Sequence, residues 1–143
     1  LVDASGALPE AASNAGQGRV VTLDRPTPLR DVAQAFKHRL GITAIEVGAP
    51  EGGERPIERL GLCPGAGGSL LDQAGPIDAF FTGEMRHHDQ LAAKAAGIAV
   101  LLAGHSQTER PYLPTYRERL RAAGAGGIEW LISNVDRAPT NLQ

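Results

Sequence analysis

The chain has 143 residues, 42% of them hydrophobic, with a formal net charge of −2 at pH 7 and a single cysteine, Cys63. That length suits one compact domain with a real core, and the scattered basic residues leave no electrostatic footprint for direct nucleic-acid binding or for an anionic membrane surface. A lone cysteine forms no internal disulfide and no apolar stretch approaches the roughly 20 residues that span a bilayer, so a reducing, soluble, cytoplasmic setting is expected.

Residues 1–18 carry neither helical nor alternating periodicity and read as a loop or linker. The chain opens on Leu1 without a signal-like segment, which implies that an upstream part, with any mitochondrial or nuclear targeting sequence, is missing. Residues 19–143 are expected to form one α/β domain. Arg19 to Leu23 is a short β-branched run. Thr27-Pro28 then supplies an N-cap and a proline at the first helical position. Leu29, Val32, Ala33, Phe36 and Leu40 recur at spacings of three and four, which predicts a helix closed by Gly41.

Ile42 to Val47 reads as a strand, Pro50 to Arg55 as a polar turn, and Ile57 to Cys63 as a strand entering a glycine-rich loop. Ser69 is placed to cap a short helix through Gln73. Asp78 to Phe81 predicts a strand, Met85 to Ala96 a helix, Ile98 to Leu102 a strand, and a further helix runs to about Ala123. Ile128 to Ser133 reads as a last strand with Trp130 in the core, followed by a turn at Asp136-Arg137-Ala138-Pro139. The alternation predicts an α/β fold with a mixed or mostly parallel central sheet flanked by helices.

Three segments could carry chemistry, all at strand ends. His105 follows the apolar strand, and Glu109 lies four residues on, so imidazole and carboxylate converge across one helical turn as ligands for a borderline divalent cation. The same letters, Ser106-x-x-Glu109, also spell a capping box. Thr82-Gly83-Glu84-Met85-Arg86-His87-His88 offers Glu84 to orient a histidine or act as general acid/base, and either His87 or His88 to face the same crevice. An ordinary solvated first turn capped by Thr82 is the alternative there. Gly67, Gly68 and Ser69 could present backbone amides to an anion, or simply make a tight turn. Cys63, closing an apolar strand, reads as a buried residue rather than a nucleophile.

Taken in order, Gly65-Ala66-Gly67-Gly68-Ser69-Leu70-Leu71, Asp78-Ala79-Phe80-Phe81-Thr82-Gly83-Glu84-Met85-Arg86-His87-His88 and Gly104-His105-Ser106-Gln107-Thr108-Glu109-Arg110 resemble the dinuclear-metal-centre family of NIF-three-like proteins, GTP cyclohydrolase 1 type 2 homologues. The resemblance covers about Ile57 to Pro139 and corresponds to the C-terminal half of a two-part fold. It implies that His105 and Glu109 are metal ligands, and that Glu84 and His88 line the same cavity in catalytic or supporting roles. It further implies two divalent ions (zinc, manganese, iron or magnesium) whose remaining ligands, a His-His pair and an Asp, come from the missing N-terminal half. A hydrolase-like activity on a small nucleotide-like or phosphorylated substrate and a ring-like homo-hexamer are implied in the same way. A non-enzymatic metal-binding regulatory role is the alternative.

Overall fold

A computed structural model describes residues 17–125 and 127–139. The expected linker 1–18 therefore lies almost wholly outside the described residues.

Five strands form one mixed sheet: β1 (Arg19–Thr27), β2 (Glu46–Gly48), β3 (Ile57–Ala66), β4 (Ala79–Glu84) and β5 (Ala99–Leu102), in the order β1-β3-β4-β5-β2. The three central strands are parallel, with Leu60 opposite Ala79 and Ala79 opposite Ala99, while β1 and β2 run antiparallel at the two edges. Successive residues of β4 and β5 point to opposite faces, and both faces are buried. On one, helix α1 (Leu29–Leu40) lays Leu29, Val32 and Phe36 over Leu60, Phe81 and Leu101, with the Phe36 and Phe81 rings stacked at 3.7 Å. On the other, the 3-10 turn Gly68–Gln73 and helix α2 (His87–Ala95) cover Phe80, Val100 and Leu102 through Leu70, Leu71 and Ala93. Two-sided burial explains why the β4 and β5 segments read as continuous apolar runs.

The chain then enters helix α3 (His105–Glu109), a 3-10 turn at Arg110–Tyr112, helix α4 (Leu113–Leu120) and a π-type turn, Arg121–Ala125. The expected continuous helix is thus a set of short pieces.

Four local expectations are corrected. Thr27 is the last residue of β1 and not an N-cap: its Oγ1 donates to the Arg25 carbonyl at 2.9 Å, and Pro28 holds the cap position. A residue before proline is pushed toward extended backbone, so the strand extends to it. Ser69 lies inside the 3-10 turn and caps nothing; Gly67 precedes that turn. The strand expected over Ile42 to Val47 shrinks to the exposed edge strand β2. No strand forms at Ile128 to Ser133, where Leu131 is 81% exposed and Trp130 only half-buried. That short apolar run lies beyond α4 and pairs with neither edge of the sheet. Gly41 does end α1, in the left-handed conformation at φ 66°.

Candidate metal centre

The carboxyl ends of the parallel strands are the usual ligand crevice of an open α/β sheet. Here they deliver Gly65 on β3, Glu84 closing β4, and Gly104 with His105 just past β5. His105 Nδ1 and Glu84 Oε1 are 3.0 Å apart, and His105 Nε2 lies 3.3 Å from Glu109 Oε2. One imidazole therefore bridges two carboxylates. The Glu84 hydrogen bond, aided by both carboxylate charges, holds the His105 pKa above its ordinary value against partial desolvation. A ring that donates Nδ1–H to Glu84 keeps Nε2 toward Glu109.

No capping box forms. Gly104, at φ 88°, occupies the N-cap of α3 and makes no side-chain cap bond, so Ser106 already sits within the first turn. The Glu109 carboxylate instead faces His105 and the backbone of Gly65.

Beneath these side chains lies a lattice that the sequence reading missed. Thr82 and Thr108 are the buried polar side chains of the described residues. Thr82 Oγ1 accepts the Gly67 N–H at 2.9 Å and donates to the Gly65 carbonyl at 3.0 Å. Thr108 Oγ1 accepts the Gly65 N–H at 2.9 Å and donates to the His105 carbonyl at 2.8 Å. The two threonines thus pin the Gly65 loop from both sides and register it against the start of α3. Gly83 is required by close approach: a Cβ there would stand 2.7 Å from the Gly65 carbonyl oxygen and 2.9 Å from that of Gly104. Gly65 has φ 69°, and a Cβ on it would collide with Glu109. A threonine inside the apolar run Ala79 to Gly83 was the available signal for this lattice.

Of the three residues expected to form an anion cradle, Gly67 has its amide committed to Thr82, Gly68 lies toward the Asp89 carboxylate, and Ser69 gives its carbonyl to Gln73 Nε2 at 3.3 Å. His88 turns its Nε2 to Asp89 Oδ1 at 3.2 Å, with its side chain 72% exposed, whereas Glu84, His105 and Glu109 come together. Cys63 is free and half-buried; burial first, and the Glu109 charge second, push its thiol pKa up, which disfavours the reactive thiolate.

Two clefts meet at Glu84 and Met85. One, of about 450 Å³, runs along Leu102, His105 and Gln107 to Ala138 and Pro139; the other, of about 540 Å³, runs past Gly68, Ser69, Arg86 and Asp89. Among the described residues, no three His, Cys, Asp or Glu side chains converge as a complete metal-holding group. His105 and Glu109 would supply two ligands where a closed site needs about four. The donor types fit a divalent ion, in a centre that needs further ligands.

The family model described as Duf34/NIF3 (NGG1p interacting factor 3) matches residues 4–139, and the chain belongs to that family. The NIF3 homolog of Schizosaccharomyces pombe is 46% identical over 98 residues, covering 68% of this chain and 35% of that protein. A GTP cyclohydrolase 1 type 2 homolog from Streptomyces coelicolor is 35% identical over 100 residues, again covering 68% of this chain and 35% of its own length. The crystal structure of Staphylococcus aureus protein SA1388 superposes with a TM-score of 0.73 at 25% identity, covering 90% of this chain and 38% of that one. The chain therefore spans about a third of the length of these relatives. No helix among the described residues is long and apolar enough to cross a membrane.

Proposed function

We propose that this chain carries the C-terminal part of a dinuclear divalent-metal centre in a hydrolase-like protein acting on a nucleotide-like or phosphorylated substrate. The observation that supports it is the Glu84–His105–Glu109 row, in which a carboxylate on Nδ1 leaves Nε2 and a second carboxylate side by side. His105 and Glu109 would hold metal, and Glu84 orients His105 rather than meeting substrate. A divalent ion supplies Lewis acidity and lowers the pKa of water. The chain's own part is to hold the ligand pair still, through Thr82, Thr108 and Gly65, and to keep Nδ1–H directed at the Glu84 carboxylate. The remaining ligands would come from the part of the longer protein that the relatives' lengths imply, and assembly as a homo-oligomer, a hexamer in the family pattern, belongs to the same reading.

The test is metal content by inductively coupled plasma mass spectrometry on the full-length protein, with hydrolysis of GTP and simple phosphate esters assayed alongside. His105→Ala and Glu109→Ala should each remove metal, and Glu84→Gln should weaken affinity by about 10- to 100-fold. Unchanged metal in His105→Ala would sink the reading. A yeast relative, 30% identical over 132 residues, is named NGG1-interacting factor 3, which favours a second reading as a metal-stabilised interaction protein. Bound metal with no turnover on any ester would select that one.

A further inference from the structure

Residues 133–139 bring Ala138 and Pro139 to the wall of the 450 Å³ cleft without being packed in place. All but Ala138 are exposed, and a gap of about 370 Å³ lies between this segment, Leu40 and α3. What ties it down is Arg110, directly after α3. Its Nη1 pairs with Asp136, and its Nη2 donates to the Ser133 carbonyl at 2.8 Å. Ser133 Oγ closes the turn by accepting the Val135 and Asp136 amides at 3.3 and 3.1 Å. The fork fits Arg and not Lys, since a planar guanidinium serves both acceptors at once. Downstream of that latch, Ala138 and Pro139 become the wall opposite Met85, Gln107 and His105.

The geometry points to 133–139 as a strap that decides what enters the cleft beside Glu84 and His105, with Arg110 as the positioning residue that latches it. The cleft between strap and sheet holds the carboxylates of Glu46 and Glu84, the His105 ring set between Glu84 and Glu109, apolar Met85 and Leu102, the amides of Gln90 and Gln107, and no Lys or Arg. Such a lining admits the uncharged, hydrogen-bonding part of a substrate and disfavours a free anion, which leaves a substrate's phosphate to the metal or to the neighbouring cleft beside Arg86. As a substrate wall the strap rests on the function proposed above; its latching does not.

The experiment uses the full-length protein without added metal, so that its failure and that of the metal reading are distinguishable. Hydrogen exchange by mass spectrometry follows 133–139 and, as a folding control, β4 and β5. A Gln90→Cys reporter in a Cys63→Ser background is labelled with a neutral methyl and an anionic sulfonatoethyl methanethiosulfonate, each rate taken relative to free cysteine. Gln90 lines the cleft from α2, across from the strap. With the latch intact, the anionic reagent should lag the neutral one several-fold. Arg110→Ala should speed exchange in 133–139 alone by about tenfold and speed labelling by both reagents, and the swap Arg110→Asp with Asp136→Arg, which restores the ion pair but not the donation to the Ser133 carbonyl, should bring both rates part of the way back. Where Arg110→Ala also loosens β4 and β5, Asp136→Asn, a change on an exposed side chain, gives the same reading without touching the helix. Unchanged strap exchange and labelling in Asp136→Asn, or equal labelling by the two reagents in the latched protein, would overturn the proposal.

Discussion

The carboxyl edge of β3, β4 and β5 and the segment from α4 to residue 139 are built on opposite terms. At the edge, backbone meets backbone across glycines too close for a Cβ, and two buried threonines take up the polar groups left there. In the second region α4 buries no side chain, Leu131 and Val135 are 81% and 86% exposed, and the Arg110 fork ties Ser133 and Asp136 to the end of α3. Packing with satisfied hydrogen bonds makes a rigid platform, whereas a single exposed pair makes an element that can be released. That contrast suits a site in which ligand geometry must not move and its surroundings may.

Substitutions should therefore divide sharply between the regions. The largest effect is expected for Gly83→Ala. It drives a methyl to 2.7 Å from the Gly65 carbonyl oxygen and 2.9 Å from that of Gly104, and overpacking costs about 1–3 kcal/mol, toward the upper end where backbone rather than a side-chain tip must shift. A loss of about 3 kcal/mol, read from the urea midpoint at constant slope, is the expected outcome. A loss under about 1 kcal/mol would mean that the loop yields freely. Next is Thr82→Val, which keeps the volume and leaves the Gly67 N–H and Gly65 carbonyl without their partner. Unsatisfied buried groups cost about 1–3 kcal/mol each, so about 2 kcal/mol is expected. Thr82→Ser, which restores the hydroxyl, should recover most of it.

A smaller effect sharpens the comparison through pH. The folded-state pKa of His105 is raised, so its protonated form is the one that folding favours. The stabilisation is then fully present below the unfolded histidine value of about 6.5 and fades as pH rises through the higher folded value. Solvent screening keeps it modest, since the side chain is 45% exposed. Titration of ring protons by NMR in metal-free protein should place His105 above the ordinary histidine value, and Glu84→Gln should lower the His105 value. No change in Glu84→Gln would remove Glu84 as the orienting group.

How much of this was legible in the sequence follows the same division. Central strands, α1 and its Gly41 stop carry strong apolar periodicity or continuous apolar runs, and those elements form where the spacing placed them. His105 and Glu109 were legible because four-residue spacing past a strand is a local property. Glu84's place on Nδ1 was not, since it depends on β4 lying beside β5 in register. Thr82 reads as a helix cap, and Thr108 carries no signal of its own, because their partners are far off in sequence: Thr82 meets Gly65 and Gly67, and Thr108 meets Gly65. The strand expected at Ile128 to Ser133 failed for the converse reason. A short apolar run needs an available edge, and nothing in its own letters says whether one is there.

That failure yields the smallest predicted effect. If the apolar residues of the second region were core, Leu131→Ala would cost about 2–5 kcal/mol. With the side chain 81% exposed there is almost no buried area to lose and no cavity to leave. Leu131→Ala and Val135→Ala should each change stability by no more than about 0.5 kcal/mol, as surface substitutions do. Run on this chain and on the full-length protein, the pair becomes more informative. Near-zero values in both would keep the segment an exposed strap held by its latch. A cost above about 1 kcal/mol in the longer protein alone would show that another part of that protein covers Leu131 and Val135, so that the region this chain leaves loose is one that assembly makes firm.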